Sequence, residues 1–428
     1  MRKRIHKKGM MAIFSIAMMA TLFLGGCDNG KGSVTKTSEE SVSSSEEVTT
    51  PEASTEESSS VESSTPEPAS QELKTPEPKE PFVADRSAVF ELFSHINIGW
   101  NLGNTLDAHG AGNSLNAETY WGNPKTTQEM IDAIAAQGFK AVRIPVTFAE
   151  HLGKAPDYVI NEKWLDRVQE IVDYALNAGL YVMIDTHHEP DFWLKPTADK
   201  EEAVTKELTA IWTQVAERFK DYDERLMFEG MNEPRNKGTA EEWNGGTKQE
   251  REIINRMNQA FVDAVRSTGG NNEKRILILC TYGNNAGYTA IQDFKVPEDN
   301  YIAVAVHMYT PYYFTYAGTD ASFYDTWDGS QRASIVNTLK QLNNFFLKKD
   351  VPVIVTEFGA VNKGNSEEVI KWAADYLGAM NDCGIKCFWW DNGCFNTTGE
   401  NFGIFNRKTL DWYDKNLADA LIANSVSE

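Results

Sequence analysis

The feature that most constrains this chain is a recurring joint: an amphipathic stretch, a glycine, and then a short run with almost no polar break. "TTQEMIDAIAAQG" (Thr126–Gly138) passes at its glycine into "FKAVRIPV", and "NEKWLDRVQEIVDYALNAG" (Asn161–Gly179) into "LYVMIDTHH". "NDCGIKCFWWDNG" repeats the join at Gly384. In the second stretch Trp164, Leu165, Val168, Ile171, Val172, Ala175 and Leu176 share one helical face, and Gly179 suits the C-terminal cap. Thr126-x-x-Glu129 predicts a capping box at the start of the first. The apolar runs are Ile96–Gly103, Ala141–Val146, Tyr181–His188, Leu226–Glu233, Ile276–Tyr282, Ile302–Tyr309, Val351–Glu357 and Cys387–Asp391. Near-continuous apolar strands alternating with helices imply a parallel sheet covered on its outer face. Eight such units over residues 83–428 predict an α/β fold of the (β/α)8 barrel type with extended loops. An open doubly wound sheet would carry a phosphate-binding GxGxxG after its first strand, and "NLGNTLDAHGAG" lacks that spacing.

The runs also end alike. Their last residues are Asn101 and Asn104; Arg143; His187 and His188; Asn232 and Glu233; Tyr282 and Asn284; His307 and Tyr309; Glu357; Trp390 and Asp391. Active sites of such barrels lie at the C-terminal ends of the strands, so these residues form the candidate site. Glu233 and Glu357 end strands four and seven, on opposite sides of the mouth. A facing carboxylate pair without metal partners suits retaining glycoside hydrolysis, which places the two groups about 5–5.5 Å apart. The acid then needs a raised pKa and the nucleophile a low one. Arg143, from strand two, is placed to keep Glu357 ionised. Glu229 shares strand parity with Glu233 and reads as a buried carboxylate paired with Arg143. Adjacent strand residues face opposite ways, which argues against His187 and His188 binding one metal ion and lets only one of Trp389 and Trp390 meet a ligand. No EF-hand spacing occurs, so neither metal nor cofactor is expected. Trp121, Trp193 and Trp327 read equally as distal platforms or as rim packing.

Seven segments in order, "NIGWNLGNTLDA", "RIPVTF", "DTHHE", "MNEPR", "HMYTP", "TEFG" and "FWWDNG", resemble glycoside hydrolase family 5 across residues 90–415. The likeness is nearest to its bacterial endo-β-1,4-glucanases that also accept xyloglucan. The resemblance implies that Glu233 is the general acid/base and Glu357 the nucleophile. It implies that Asn232 hydrogen-bonds the sugar 2-hydroxyl, and that Arg143 and Tyr309 orient Glu357. His187 and His307 would line the reacting subsite, with Trp390 as a flat face for a pyranose ring; Asn104 and His188 complete the substrate-binding set. The loops Tyr120–Pro124 and Glu189–Pro196 would set substrate breadth. The same fold could instead serve a mannan- or xyloglucan-specific hydrolase, or a non-catalytic cell-surface glycan-binding lipoprotein.

Charge and the N-terminus bear on location. The chain carries −21, with 62 acidic against 41 basic side chains, which disfavours phosphate backbones as partners. "MRKRIHKK" followed by an apolar run ending "LFLGGC" predicts a lipoprotein-type signal peptide over residues 1–26 and lipidation of Cys27. Residues 27–82, rich in Ser, Thr, Glu and Pro, predict a disordered tether of about 40 Å root-mean-square span. An exported, surface-tethered monomer is expected, with the membrane reached only through the lipid. Cys280, Cys383, Cys387 and Cys394 read as buried thiols or at most one disulfide.

Overall fold

The structure, a computed structural model, describes residues 82–318, 322–397 and 400–425. The expected leader, Cys27 and almost all of the tether lie outside the described residues. Eight parallel strands close into a barrel in sequence order: β1 (Gly99–Leu102), β2 (Ala141–Val146), β3 (Tyr181–Thr186), β4 (Leu226–Glu229), β5 (Leu277–Asn285), β6 (Ile302–His307), β7 (Val353–Phe358) and β8 (Lys386–Asp391). Closure is made by β1 on β8, where Gly99 pairs with Phe388 and Asn101 with Trp390. The helix before β1, α1 (Ser87–Ser94), turns Val89, Leu92 and Phe93 into the floor of the barrel.

Helices cover the outer face: α2 (Gln128–Gln137), α3 (Glu162–Asn177), α4 (Glu201–Phe219), α5 (Lys248–Ser267), α6 (Arg332–Phe345), α7 (Ser366–Asn381) and α8 (Lys415–Asn424). The glycine joints do what the sequence asks of them, since Gly138, Gly179 and Gly384 take φ of 113°, 80° and 66°, where a side chain would be strained. Helix α3 buries Trp164, Leu165, Val168, Ile171, Val172 and Ala175 as expected, each such side chain being worth roughly 1.5–3 kcal/mol. Leu176 is only half-buried, and Arg167 joins the buried face because Glu118 receives its guanidinium at 2.7 Å. The capping box expected at Thr126 is absent. Thr127 is the N-cap, without a side-chain cap, because the Thr126 amide donates to Glu118 and its carbonyl accepts from Arg167. A full capping box occurs instead at Thr247 and Glu250 on α5.

The barrel interior is layered. Its lower part is filled by Ala141, Met183, Met227, Ile278, Ala305, Ile354 and Phe388. Two residues further along six of these strands, on the same face, stand Arg143, Asp185, Glu229, His307, Thr356 and Trp390, while β5 carries Cys280 at a register shift. Strand parity thus changes the interior from apolar to polar in one step, just below the mouth. Gly99 is required at the closure, as a Cβ there would lie 2.1 Å from the Phe388 ring. The four described cysteines are thiols: Cys280 and Cys387 are buried, Cys383 and Cys394 half-buried.

Candidate active site

Arg143 organises the polar layer. It is wholly buried, and its Nε donates to Glu229 Oε2 at 2.6 Å, Nη1 to Glu357 Oε1 at 2.9 Å, and Nη2 to Asn232 Oδ1 at 2.8 Å. Nη2 also lies 2.8 Å from Asp185 Oδ2. Burial would weaken the cation, but Asp185, Glu229 and Glu357 together raise its pKa. Glu229 is therefore the paired structural carboxylate that strand parity suggested, and it also accepts from Asn284 and Thr356.

Glu357, on β7, additionally accepts from the Tyr309 hydroxyl at 2.9 Å. Burial first and Glu357 second push that phenol well above its usual pKa, so it stays a donor. Charge-assisted donors of this kind suit an ionised carboxylate and hold it in one orientation.

Glu233 is placed differently from the sequence expectation. β4 ends at Glu229, and Asn232 and Glu233 lie in the turn that follows. The Asn232 amide still reaches the Thr186 carbonyl at 2.8 Å, which keeps the turn against β3. Glu233 has φ +43°, a left-handed conformation uncommon for a residue with a side chain. It is held there from both ends: its amide donates to Asn284 Oδ1 at 2.9 Å, and its carbonyl accepts from Arg235 Nη1 at 2.9 Å. Pro234 follows, and having no N–H it cannot extend a ladder. The polar ending of this run is a turn that aims one carboxylate across the mouth.

There the two carboxylates meet around His307. Its Nδ1 lies 3.0 Å from Glu233 Oε1 and 3.4 Å from Glu357 Oε2, and a carboxylate oxygen of each glutamate lies within 4.8 Å of the other. The expected raised pKa for Glu233 is overturned. Burial does push it up, but the hydrogen bond from His307 and the Arg235 guanidinium at 3.2 Å outweigh that and bring it to about 2. His307 shifts the opposite way: burial lowers it, but Glu357 and Glu233 raise it on balance.

His187 is buried, stacks on Trp390 at 5.6 Å, and sets Nδ1 3.1 Å from Asp185 Oδ1 and Nε2 3.5 Å from Asn232 Nδ2. Burial brings its pKa to about 3, so it is neutral, whereas Asp185 is pushed up to about 7 by its own burial. Trp390 is 9% exposed, and Trp389 is buried behind it. His188 does not point away from His187. β3 stops at Thr186, so strand alternation no longer applies, and the two rings meet edge-on at 4.6 Å. His188 Nε2 lies 3.7 Å from Asp107 Oδ2, which also accepts from the Asn104 amide at 2.9 Å. Asn104 and His188 thus gather around Asp107, beside the carboxylate pair. Trp121 packs its ring against His188 and His109 on this rim. Trp193 and Trp327 are packing residues; Trp327 is 6% exposed and donates to Asp375.

Two side chains that the structure brings to the site were not singled out from sequence. Arg235 stands next to the Asn-Glu-Pro turn, and Asp185 is a lone acid inside an apolar run at the parity of Met183. Both signals were visible in the sequence.

The chain is similar to known proteins. Residues 106–396 match the model of the cellulase family, glycosyl hydrolase family 5. Endoglucanase A of Ruminococcus albus is 49% identical over 347 residues, covering 80% of this chain and 94% of that protein. A xyloglucan-specific endo-β-1,4-glucanase from a metagenomic library, solved with cellotriose, superposes with a TM-score of 0.78 at 54% identity, over 79% of this chain and 99% of that one. A broad-specificity endoglucanase from Ruminococcus champanellensis, also with cellotriose, gives 0.75 at 43% identity over 78% and 97%. A closed eight-stranded barrel, two carboxylates facing across its mouth and a family match over residues 106–396 lead to one conclusion: this protein belongs to glycosyl hydrolase family 5, the cellulases.

Proposed function

We propose that the chain is a retaining endo-β-1,4-glucanase in which Glu357 is the nucleophile and Glu233 the general acid/base. The observation that carries this is the carboxylate spacing. Oxygens within 4.8 Å suit the about 5–5.5 Å separation of a retaining pair and fall short of the about 6.5–9.5 Å of an inverting one. In the first step a Glu357 oxygen bonds to the anomeric carbon, the glycosidic C–O bond breaks, and the leaving oxygen takes a proton from Glu233. In the second, Glu233 removes a proton from water, whose oxygen displaces Glu357 and restores the carboxylate.

The proton has a source at the site. With Glu233 lowered and His307 raised, the unliganded pair keeps its proton on His307 Nδ1, 3.0 Å from Glu233 Oε1. Transfer along that hydrogen bond makes Glu233 the acid. Arg143 and Tyr309 hold Glu357 in line for attack, and the Asn232 amide, with its oxygen taken by Arg143, turns its nitrogen toward a sugar hydroxyl. A non-catalytic glycan binder would have no use for two carboxylates held this close.

The substrates are soluble β-1,4-linked glucans, xyloglucan and mixed-linkage glucan among them; the xyloglucan-specific and broad-specificity relatives support this breadth. The test is NMR of fresh products from xyloglucan, mixed-linkage glucan, carboxymethyl cellulose and mannan. An initial β-anomer from the glucans is expected. An initial α-anomer overturns the two-step mechanism, and cleavage of mannan alone overturns the substrate class. The basic leader and "GGC" boundary support a lipid tether at Cys27. Fractionation of wild type and Cys27→Ala tests it, with release of the variant from membranes expected.

A further inference from the structure

Beside the carboxylate pair, at the same mouth, stands a second convergence of side chains that takes no part in the bond-making and bond-breaking steps; one of them, His188, belongs to the expected substrate-binding set. We propose that His109, His188 and Asp191 form a binding site for one divalent transition-metal ion, with Zn²⁺ as the best fit. His109 comes from the loop after β1, His188 from just past β3, and Asp191 from the short turn Glu189–Asp191. His188 Nδ1 lies 3.6 Å and His109 Nε2 3.9 Å from the same oxygen, Asp191 Oδ2. One ligand atom from each of the three lies within 4.8 Å of the other two. Tetrahedral zinc, with bonds of about 2.0–2.2 Å, separates its ligand atoms by roughly 3.3–3.6 Å. Small side-chain movements therefore close the set, leaving the fourth position to water.

The surroundings match those of a metal site. A ligating imidazole needs a partner for its other nitrogen, commonly a carboxylate, to fix its tautomer. Asp107 Oδ2 lies 3.7 Å from His188 Nε2, leaving Nδ1 facing Asp191. Asp107 is wholly buried and anchored by the amides of Asn104 and Thr105, so it does not swing away. The loop bearing His109 is fixed by its carbonyl, which accepts from Trp121 Nε1 at 3.0 Å, and Trp121 and Phe192 wall the imidazole at 5.0 and 5.2 Å. The fields of Asp107, Asp191 and Glu150 favour a cation. Lys237 opposes them by pairing with the other Asp191 oxygen, Oδ1, leaving Oδ2 for the ion.

The His188 ring touches His187, which stacks on Trp390. An ion held here occupies the cleft next to the reaction centre, so metal and glucan exclude each other and the metal acts as a reversible competitive inhibitor.

The experiment is calorimetric titration of Zn²⁺ into the purified full-length protein after chelator treatment, repeated for His109→Gln, Asp191→Asn and Glu357→Gln. The last reports on Glu233, His307 and Glu357; a second alternative, Asp107, His187 and His188, would keep its ion in both His109→Gln and Asp191→Asn. One equivalent bound by wild type, at least tenfold weaker binding in His109→Gln and Asp191→Asn, and unchanged binding in Glu357→Gln are expected. In kinetics with wild type, Zn²⁺ raises the apparent KM for carboxymethyl cellulose and leaves kcat alone. No binding by wild type, equal binding in the first two variants, or loss confined to Glu357→Gln overturns the proposal. Should His109→Gln fail to fold, Asp191→Asn, altered at a solvent-facing turn, carries the same decision.

Discussion

His307 Nδ1 sits 3.0 Å from Glu233 Oε1 and faces Glu357 Oε2 at 3.4 Å, so one imidazole stands between the two carboxylates. Two like charges this close would drive one carboxyl to protonate. A charged His307 would remove that pressure by lying between them, in keeping with its raised pKa and with the proton source proposed above.

The alkaline limb of kcat/KM should therefore follow His307. The hydrogen bond from His307 and the Arg235 charge lower the Glu233 pKa against its burial, which favours its carboxylate form. The transferable proton leaves as pH rises through the raised His307 pKa. The stability linked to that raised pKa has the same sign: it is fully present below the ordinary histidine value, near 6.5, and is lost as pH rises through the folded one. His307→Gln should lower kcat/KM by roughly 10²–10⁴ and abolish this limb. A pH–rate profile unchanged in the variant would remove the imidazole from the proton path.

Azide should separate the two glutamates. Glu357→Ala loses the nucleophile, and azide should restore turnover with an α-glycosyl azide product, because the small anion attacks from the vacated side. In Glu233→Ala the first step should survive for aryl glycosides with good leaving groups, and azide should give the β-azide. Mass and NMR analysis of the products reads this directly, and reversed anomers would exchange the roles.

Arg235→Met should raise the Glu233 pKa. The guanidinium Nη1 is 3.2 Å from Glu233 Oε2, and its charge favours the carboxylate form. NMR titration of carbon-13-labelled glutamate should show the Glu233 carboxyl moving upward from about 2 in the variant. A downward or null movement would mean that His307 alone controls it.

Glu229→Ala should destabilise the fold by about 3–5 kcal/mol, since it leaves the buried Arg143 short of a carboxylate partner. Glu229→Gln, which keeps the shape and an acceptor, should cost less. Thermal melts of both decide it, and equal losses would show that packing outweighs charge here.

Gly99→Ala should cost about 1–3 kcal/mol or more, because the added Cβ would overlap the Phe388 ring at the β1–β8 closure. Chemical denaturation measures this. A variant as stable as wild type would mean that Phe388 has room to turn.

Much of this protein is legible from local pattern. The helix–glycine–strand joints at Gly138, Gly179 and Gly384 and the eight apolar runs carry the barrel, because helical and strand periodicities are local properties of sequence. Parity along β2 and β4 places Arg143 and Glu229 on the inner face, and the polar run ends mark the mouth. Sequence was less informative where the chain leaves regular structure. Glu233 lies beyond β4 in a left-handed turn, and His187 and His188 lie beyond β3, so strand alternation could orient neither. The Thr126 capping box gave way to hydrogen bonds in which the residue's amide donates to Glu118 and its carbonyl accepts from Arg167, 41 residues on.

By itself the sequence determined the architecture, the family and which residues crowd the mouth, since each follows from periodicity, run endings and ordered motifs. Only the tertiary structure decided how the titrating groups perturb one another. The pKa of Glu233 is set by His307, 74 residues away, and by Arg235 against burial, and that of His307 by Glu357, 50 residues further on. Such sums of charge and desolvation exist only once the strands have brought these groups within a few ångströms of one another.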